Sequence, residues 1–228
     1  MKASFPTLKV GKEAFTDMSR TPRPLRPLGV RRPEGGRHTG RNTMRELVYF
    51  VHTSLDGHIE GPDGEFDWPS MGPELSGHSQ ELAGRADTFV YGRRVWEMMS
   101  SFWPEAEKQS DHPHVLDFAP IWRRTPKVVF SRTLEKADWN TEVLGGDIID
   151  RMTELKRRPG KDLLLTGGTE LATAFADRGL VDEFHVVVHP VVLGGGKQVF
   201  PGGVRTDLRL LGTRTFDGRA VLLTYRAG

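Results

Sequence analysis

Apolar positions along this chain fall into two rhythms. Leu47, Val48, Tyr49, Phe50 and Val51 form a near-continuous apolar run, the pattern of a strand buried on both faces and central in a sheet. Shorter runs at 88–91, 127–131 and 163–166 read as further strands. A helical rhythm alternates with them. At 147–157 the apolar residues Ile148, Ile149, Met152 and Leu155 stand at i, i+1, i+4 and i+7, one face of a helix. Residues 73–84 predict another helix, and Gly92-Arg93-Arg94-Val95-Trp96-Glu97 opens a third. The segment 104–114, PEAEKQSDHPH, reads as a polar loop, with His112 and His114 as solvated loop histidines. Residues 181–193 predict a long β-rich run. Strands at 208–216 and 219–226 close the chain, joined at Asp217-Gly218, a strong hairpin signal. The order β, α, β, α, β, α, β, α and then three β predicts a three-layer α/β/α sandwich. Its mixed sheet is mostly parallel, with an antiparallel C-terminal edge.

Composition divides the chain in two. Residues 1–43 hold ten basic and three acidic residues, leaving 22 basic against 27 acidic in the rest. The overall charge of +2 therefore hides a basic Pro/Arg-rich arm joined to a mildly acidic body. Thr21 to Asn42 shows no hydrophobic period and reads as an extended, mostly disordered arm. Three other readings of 1–43 stay open: a nucleic-acid-binding arm, a transit peptide, or a translation start at Met44. The acidic body argues against general nucleic-acid binding by 44–228. No apolar run reaches the length of about eighteen residues that a membrane span needs. With no cysteine in the chain, disulfides, thiolate nucleophiles and Cys-ligated metal sites drop out. A cytoplasmic setting is the expectation that fits this cysteine usage.

The candidate chemistry centres on 161–181, KDLLLTGGTELATAFADRGLV. A strand ending at Thr166 turns on Gly167 and Gly168. Thr169 is placed to cap the helix that follows, with Glu170 and Leu171 in its first turn and Arg178-Gly179 at its end. Glycines followed by the free N–H groups of a helix N-terminus make an anion site, and a pyrophosphate fits that geometry. A plain tight βα turn is the competing reading. Arg93 and Arg94 stand at another helix start, against the macrodipole, which suggests an anionic partner such as a nucleotide 2′-phosphate; a solvated surface pair is the alternative. Asp56 is the acid in the first strand's exit turn. His185 and His189 share a face if their segment is one strand, and filling the sheet is the simpler reading there than metal binding. No metal site is expected.

These residues resemble the dihydrofolate reductase superfamily, and more closely the C-terminal reductase domain of the bacterial riboflavin-biosynthesis deaminase–reductase. The similarity runs from Met44 to Arg226. It is carried by Ser54-Leu55-Asp56-Gly57-His58-Ile59, Asp67-Trp68, Tyr91-Gly92-Arg93-Arg94-Val95-Trp96-Glu97, Ser131-Arg132, Thr166-Gly167-Gly168, Leu180-Val181-Asp182-Glu183 and Pro190-Val191-Val192-Leu193-Gly194. The resemblance implies NADPH as hydride donor. It implies a pyrophosphate on Gly167, Gly168 and Thr169, with Thr166, Glu170 and Leu171 beside it. Gly92, Arg93, Arg94, Ser131 and Arg132 would line the 2′-phosphate side, Trp68 would lie near the nicotinamide, and Asp56 would face the substrate as proton donor or orienting group. A homodimer is implied as well. Thr166 stands where the riboflavin-pathway reductase carries a substrate-binding Glu, and Glu74 and Glu81 are out of register with the pterin-holding carboxylate of dihydrofolate reductases. The expected activity is therefore an NADPH-dependent reduction of a pterin- or aminopyrimidine-like heterocycle. The alternative is a nucleotide-binding module of the same fold without turnover.

Overall fold

The computed structural model describes residues 44–228; the basic arm 1–43 lies outside the described residues. Ten strands and five α-helices follow in the order β1 (Leu47–Thr53), β2 (His58–Glu60), α1 (Pro73–Arg85), β3 (Ala86–Gly92), α2 (Arg93–Phe102), α3 (Pro113–Arg124), β4 (Lys127–Phe130), β5 (Thr141–Leu144), α4 (Ile148–Arg157), β6 (Asp162–Thr166), α5 (Thr169–Ala176), β7 (Glu183–Val188), β8 (Lys197–Gln198), β9 (Leu208–Phe216) and β10 (Ala220–Ala227). Eight strands form one sheet in the order β5-β4-β3-β6-β1-β7-β10-β9, and β2 pairs with β8 apart from it. All pairings from β5 through β7 are parallel, and β10 runs antiparallel to both β7 and β9. This is the expected three-layer sandwich with an antiparallel edge.

The apolar run at 47–51 is central, as its two-sided pattern requires. Leu47, Tyr49 and Val51 pack with Met152, Leu155, Ala172 and Phe175 of α4 and α5. Val48 and Phe50 pack on the opposite face with Leu75, Leu82, Phe118 and Trp122 of α1 and α3.

Several expectations are corrected. The 104–114 segment is instead a 3-10 turn (Trp103–Lys108), a short non-helical link over 109–112 and the start of α3. The buried residues His114, Val115, Phe118, Ala119 and Trp122 recur at helical spacing, but Pro120 interrupts the helix signal, because proline removes a donor from the interior. His112 and His114 are not solvated loop residues. His112 caps α3 by accepting from the His114 amide, and buried His114 shares a 2.9 Å hydrogen bond with Ser76 Oγ. Burial, with His112 close by, pushes the His114 imidazole down to about 4. Of the β-rich run expected over 181–193, the strand itself spans Glu183–Val188. Thr169 is not the cap of α5. Gly168 holds that position, and Thr169 is the first helical residue and fully buried.

The hairpin at Asp217-Gly218 does more than turn the chain. Helix α1 has no side-chain cap of its own. Asp217 supplies one from a distance, its Oδ1 and Oδ2 accepting from the amides of Glu74 and Leu75 at 3.0 and 3.2 Å, while its own amide donates to Glu74 Oε2. Asp217→Ala is expected to cost about 1–2 kcal/mol, as loss of a cap does. Equal urea midpoints for the two proteins would remove this role.

Candidate functional site

All the parallel strands deliver their carboxyl ends to one edge of the sheet. Strand β6 lies between β1 and β3, so its exit turn opens into the gap between the loops leaving β1 and β3. In open α/β sheets that crevice is where ligands sit.

The β6 exit is Gly167-Gly168, with φ of 59° and 65°. Side chains other than glycine avoid that region. A β-carbon on either glycine would meet only Val95 of α2, at 3.5 Å or more, so the turn is open and backbone conformation is what demands glycine there. The first intrahelical bond of α5 runs from the Ala172 amide to Gly168 O. That leaves the amides of Thr169, Glu170 and Leu171 without helical acceptors, and no side chain caps them. Helix α2 starts the same way: Gly92 is its cap residue, and no side chain fills that end either. Val95 of α2 stands beside the β6 turn and Leu171 of α5 stands beside Gly92, so the two helix N-termini converge.

Cations surround this corner. Arg93 pairs with Glu97 at 3.6 Å. Arg94 and Arg132 are exposed and make no ion pair among the described residues. Ser131 Oγ accepts from the amides of Thr133 and Leu134, which curls the β4 exit back toward the same edge. Exposed Glu170, the one acid on the first turn, pairs with Lys197 at 3.3 Å. The Thr169 hydroxyl is buried with no hydrogen-bond partner among the described residues, and that of Thr166 lies by the buried Tyr91 phenol. Free amides and guanidinium groups that make no ion pair among the described residues fit a phosphate-bearing ligand.

On the other side of β1 the exit loop folds over β7. The Asp56 carboxylate accepts from the amides of Leu193 and Gly194 at 3.1 and 2.8 Å and lies 3.4 Å from His58 Nδ1. The Ser54 hydroxyl and those two amides hold its pKa well below the usual carboxylate range. Asp56 thus stays ionised and ties two loops together. Trp68 is half-buried and packs edge-on against His189, with 5.5 Å between ring centres. Both line a pocket of ≈ 260 Å³ whose far wall is Phe216, Asp217 and Arg219. Trp68 therefore sits at the β7 end of the crevice, while the residues of 166–171, Arg93 and Arg94 sit at the β6 and β3 ends.

Sequence reasoning missed a group here. His52, on β1, hydrogen-bonds His189 through Nδ1 and Nε2 at 2.9 Å. His185 and His189 do face the same side of the sheet, and His185 stacks on His78 of α1. The available signal was a histidine at alternate positions of an otherwise apolar strand, Phe50 then His52, next to one at the end of a neighbouring strand. Among the described residues no group of three or more metal-ligating side chains is assembled, and no helix is long and apolar enough to cross a membrane.

Known proteins resemble this chain along most of its described length. The uncharacterised protein YyaP of Bacillus subtilis (strain 168) is 35% identical over 188 residues, covering 82% of this chain and 97% of YyaP. The uncharacterised protein YwjB of the same organism is 31% identical over 184 residues, covering 79% and 97%. Among solved structures, a candidate riboflavin biosynthesis protein of Shewanella sp. PV-4 superposes with a TM-score of 0.64 at 23% identity, covering 80% of this chain and 99% of that one. A dihydrofolate reductase of Enterococcus faecalis, complexed with NADP(H), superposes with a TM-score of 0.55 at 12% identity, covering 80% and 96%. The deaminase/reductase of Thermotoga maritima gives 0.58 at 16% identity, and the match spans 57% of that longer chain and 81% of this one. At such identities these superpositions speak for the fold. The family itself is set by sequence: residues 45–222 match the RibD C-terminal domain, and the chain belongs to that family.

Proposed function

We propose that the protein is an NADPH-dependent reductase of a flat nitrogen heterocycle, pterin- or aminopyrimidine-like. The observation that carries this reading is the meeting of two uncapped helix N-termini at Gly167-Gly168, with Arg93, Arg94 and Arg132 around them. The amides of 169–171 would hold the pyrophosphate, with Gly167, Gly168, Thr166 and Thr169 shaping its seat. Arg93, Arg94, Ser131 and Arg132 would hold the 2′-phosphate, and Gly92 lets the backbone come close. A bound reduced dinucleotide supplies the hydride, and the chain supplies position and a proton. Trp68 would shield the reacting ring from water. Asp56, ionised and bonded to two amides, acts as an orienting group that fixes the exit loop rather than as a proton donor. The edge strand β9, with Leu208, Leu210 and Leu211 exposed, supports the homodimer part of the reading.

The test is titration of the full chain with NADPH and NADH, followed by nicotinamide fluorescence. NADPH is expected to bind more tightly, and Arg94→Ala to weaken it about tenfold to a hundredfold, the value of one charge-assisted hydrogen bond. NADH affinity should stay unchanged. Equal affinity for the two dinucleotides in the unaltered protein would contradict the arginine assignment. One observation favours the second reading, a dinucleotide-binding module without turnover: both carboxylate oxygens of Asp56 are occupied by backbone. NADPH that binds but is never consumed with any pterin or aminopyrimidine would identify it.

A further inference from the structure

Five histidines cross the layer between the sheet and helices α1 and α3. Three have evident structural partners: His114 bonds Ser76, His185 bonds Glu183 at 3.2 Å, and His78 stacks between His185 and Phe216. The remaining two bond each other. His52 Nδ1 and His189 Nε2 are 2.9 Å apart, and neither ring pairs with a carboxylate among the described residues. His189 lines the 260 Å³ pocket under Trp68. His52 keeps some exposure at the C-terminal end of β1. Phe50 pairs with Thr166, so His52, two residues on, is level with the Gly167-Gly168 turn. The pair therefore spans from the pocket to the strand edge where the dinucleotide is proposed to lie.

Resting on the reductase reading above, we propose that His52 and His189 form an imidazole couple that delivers the proton of the reduction from the Trp68 pocket to the acceptor. With both rings neutral, the shared bond uses one N–H and one lone pair, leaving one outer N–H and one outer lone pair. A proton taken up from bulk solvent, carried through the pocket by water so that no hydroxide is left behind, enters at His189 Nδ1. The shared proton moves from His189 Nε2 to His52 Nδ1, and the proton on His52 Nε2 passes to the nitrogen of the acceptor's C=N bond. The π pair of that bond becomes the new N–H bond, while the hydride, supplied by the dinucleotide, makes the C–H bond. Charge balances, since one hydride and one proton are added and both imidazoles end neutral.

The surroundings keep the couple neutral at rest. Burial pushes His189 down to about 4, with the Arg219 guanidinium of the β9–β10 turn adding to it. Burial, then His189, His114 of α3 and His78 of α1, lower His52 well below the ordinary histidine value. Glu81 and Arg214 bear on His78 and so stand one shell further out. The protonated couple is thus a strong acid at neutral pH, and proton delivery should quicken as pH falls toward 4.

Two measurements on the full chain decide the matter. Nitrogen-15 imidazole spectra, taken without ligand, follow each ring from pH 4 to 8. In His189→Gln the proton affinity of His52 is expected to rise about tenfold, and His52→Gln should do the same to His189; each variant reports on its own. Rings that titrate identically with and without their partner overturn the couple. NADPH oxidation with a panel of dihydropterins and aminopyrimidines is then followed against pH. The unaltered protein should speed up toward acid. His52→Gln should lose about a hundredfold in kcat, the ordinary scale of general acid catalysis, with NADPH affinity unchanged. Equal kcat in the two proteins overturns the proton role. Failure of the unaltered protein to bind NADPH sinks the reductase reading instead, and the binding titration detects that independently of the histidine spectra.

Discussion

Glu183→Gln is expected to destabilise the fold by about 3 kcal/mol at neutral pH and to flatten its response to acid. Glu183 opens β7 with its side chain 9% exposed. Its Oε1 accepts from Arg226 at 2.6 Å, and its Oε2 accepts from Arg85 at 3.2 Å. His185, then Arg226 and Arg85, hold the carboxyl down to about 2 against an ordinary 4.5. Removing one partner of a buried ion pair costs roughly 3–5 kcal/mol. The lower end applies here, because Arg85 keeps Asp162 and Arg226 keeps Glu46. The folded value lies below the unfolded one, so the contribution is complete above pH 4.5 and disappears as pH falls toward 2. That interval corresponds to about 3 kcal/mol. Urea midpoints at pH 7, 5 and 3 check the linkage. The gap between the two proteins should narrow to about half at pH 3, and a constant gap would show that packing rather than charge is at stake. Glu183 pairs with Val48 at the amino-terminal end of β1, away from the crevice, so dinucleotide binding should not change.

The same separation explains which features could be read from the residue pattern. Periodicity reports burial, and burial decides the layers. The run at 47–51 had to be central, and β9 and β10 appear within a residue or two of their expected ends. The Gly167-Gly168 turn was legible because its glycines and the helix behind them are adjacent in sequence. Interactions across the fold were not. The cap that Asp217 gives to α1 joins residues 142 or 143 positions apart, and His52 meets His189 across 137. Register between strands creates those contacts, and register is not written in either segment alone. Helix α3 was hidden by a different cause: Pro120 masked a periodic face that tertiary packing, led by fully buried Trp122, holds helical anyway. Thr169 shows local chemistry overridden in the same way. A threonine is a good cap, but glycine at 168 takes the left-handed cap conformation, and the threonine hydroxyl turns inward.

That inversion sets up the second large effect, in the turn itself. Gly168→Ala is expected to cost about 1–2 kcal/mol of stability, because a β-carbon in the left-handed region clashes with its own backbone. The side chain would meet Val95 at an ordinary 3.5 Å, so crowding adds little. Gly168→Asn should cost less, since asparagine tolerates that region, and Gly168→Val more. The binding effect should follow the same rank. Each amide re-aimed away from the pyrophosphate forfeits a charge-assisted hydrogen bond, about 1.5–3 kcal/mol, so Ala should weaken NADPH about tenfold or more. Strain alone could lower apparent affinity through partial unfolding, and the far end of the same helix controls for that. Gly179 has φ of 63° with open space around it, and it terminates α5 through bonds from the Gly179 and Leu180 amides to Ala176 and Phe175 carbonyls. Gly179→Ala should therefore destabilise the fold by a similar amount and leave the NADPH dissociation constant where it was. If the two alanine variants weaken NADPH equally, the amides of 169–171 do not hold the phosphates, and the anion site must be sought at the α2 end of the crevice.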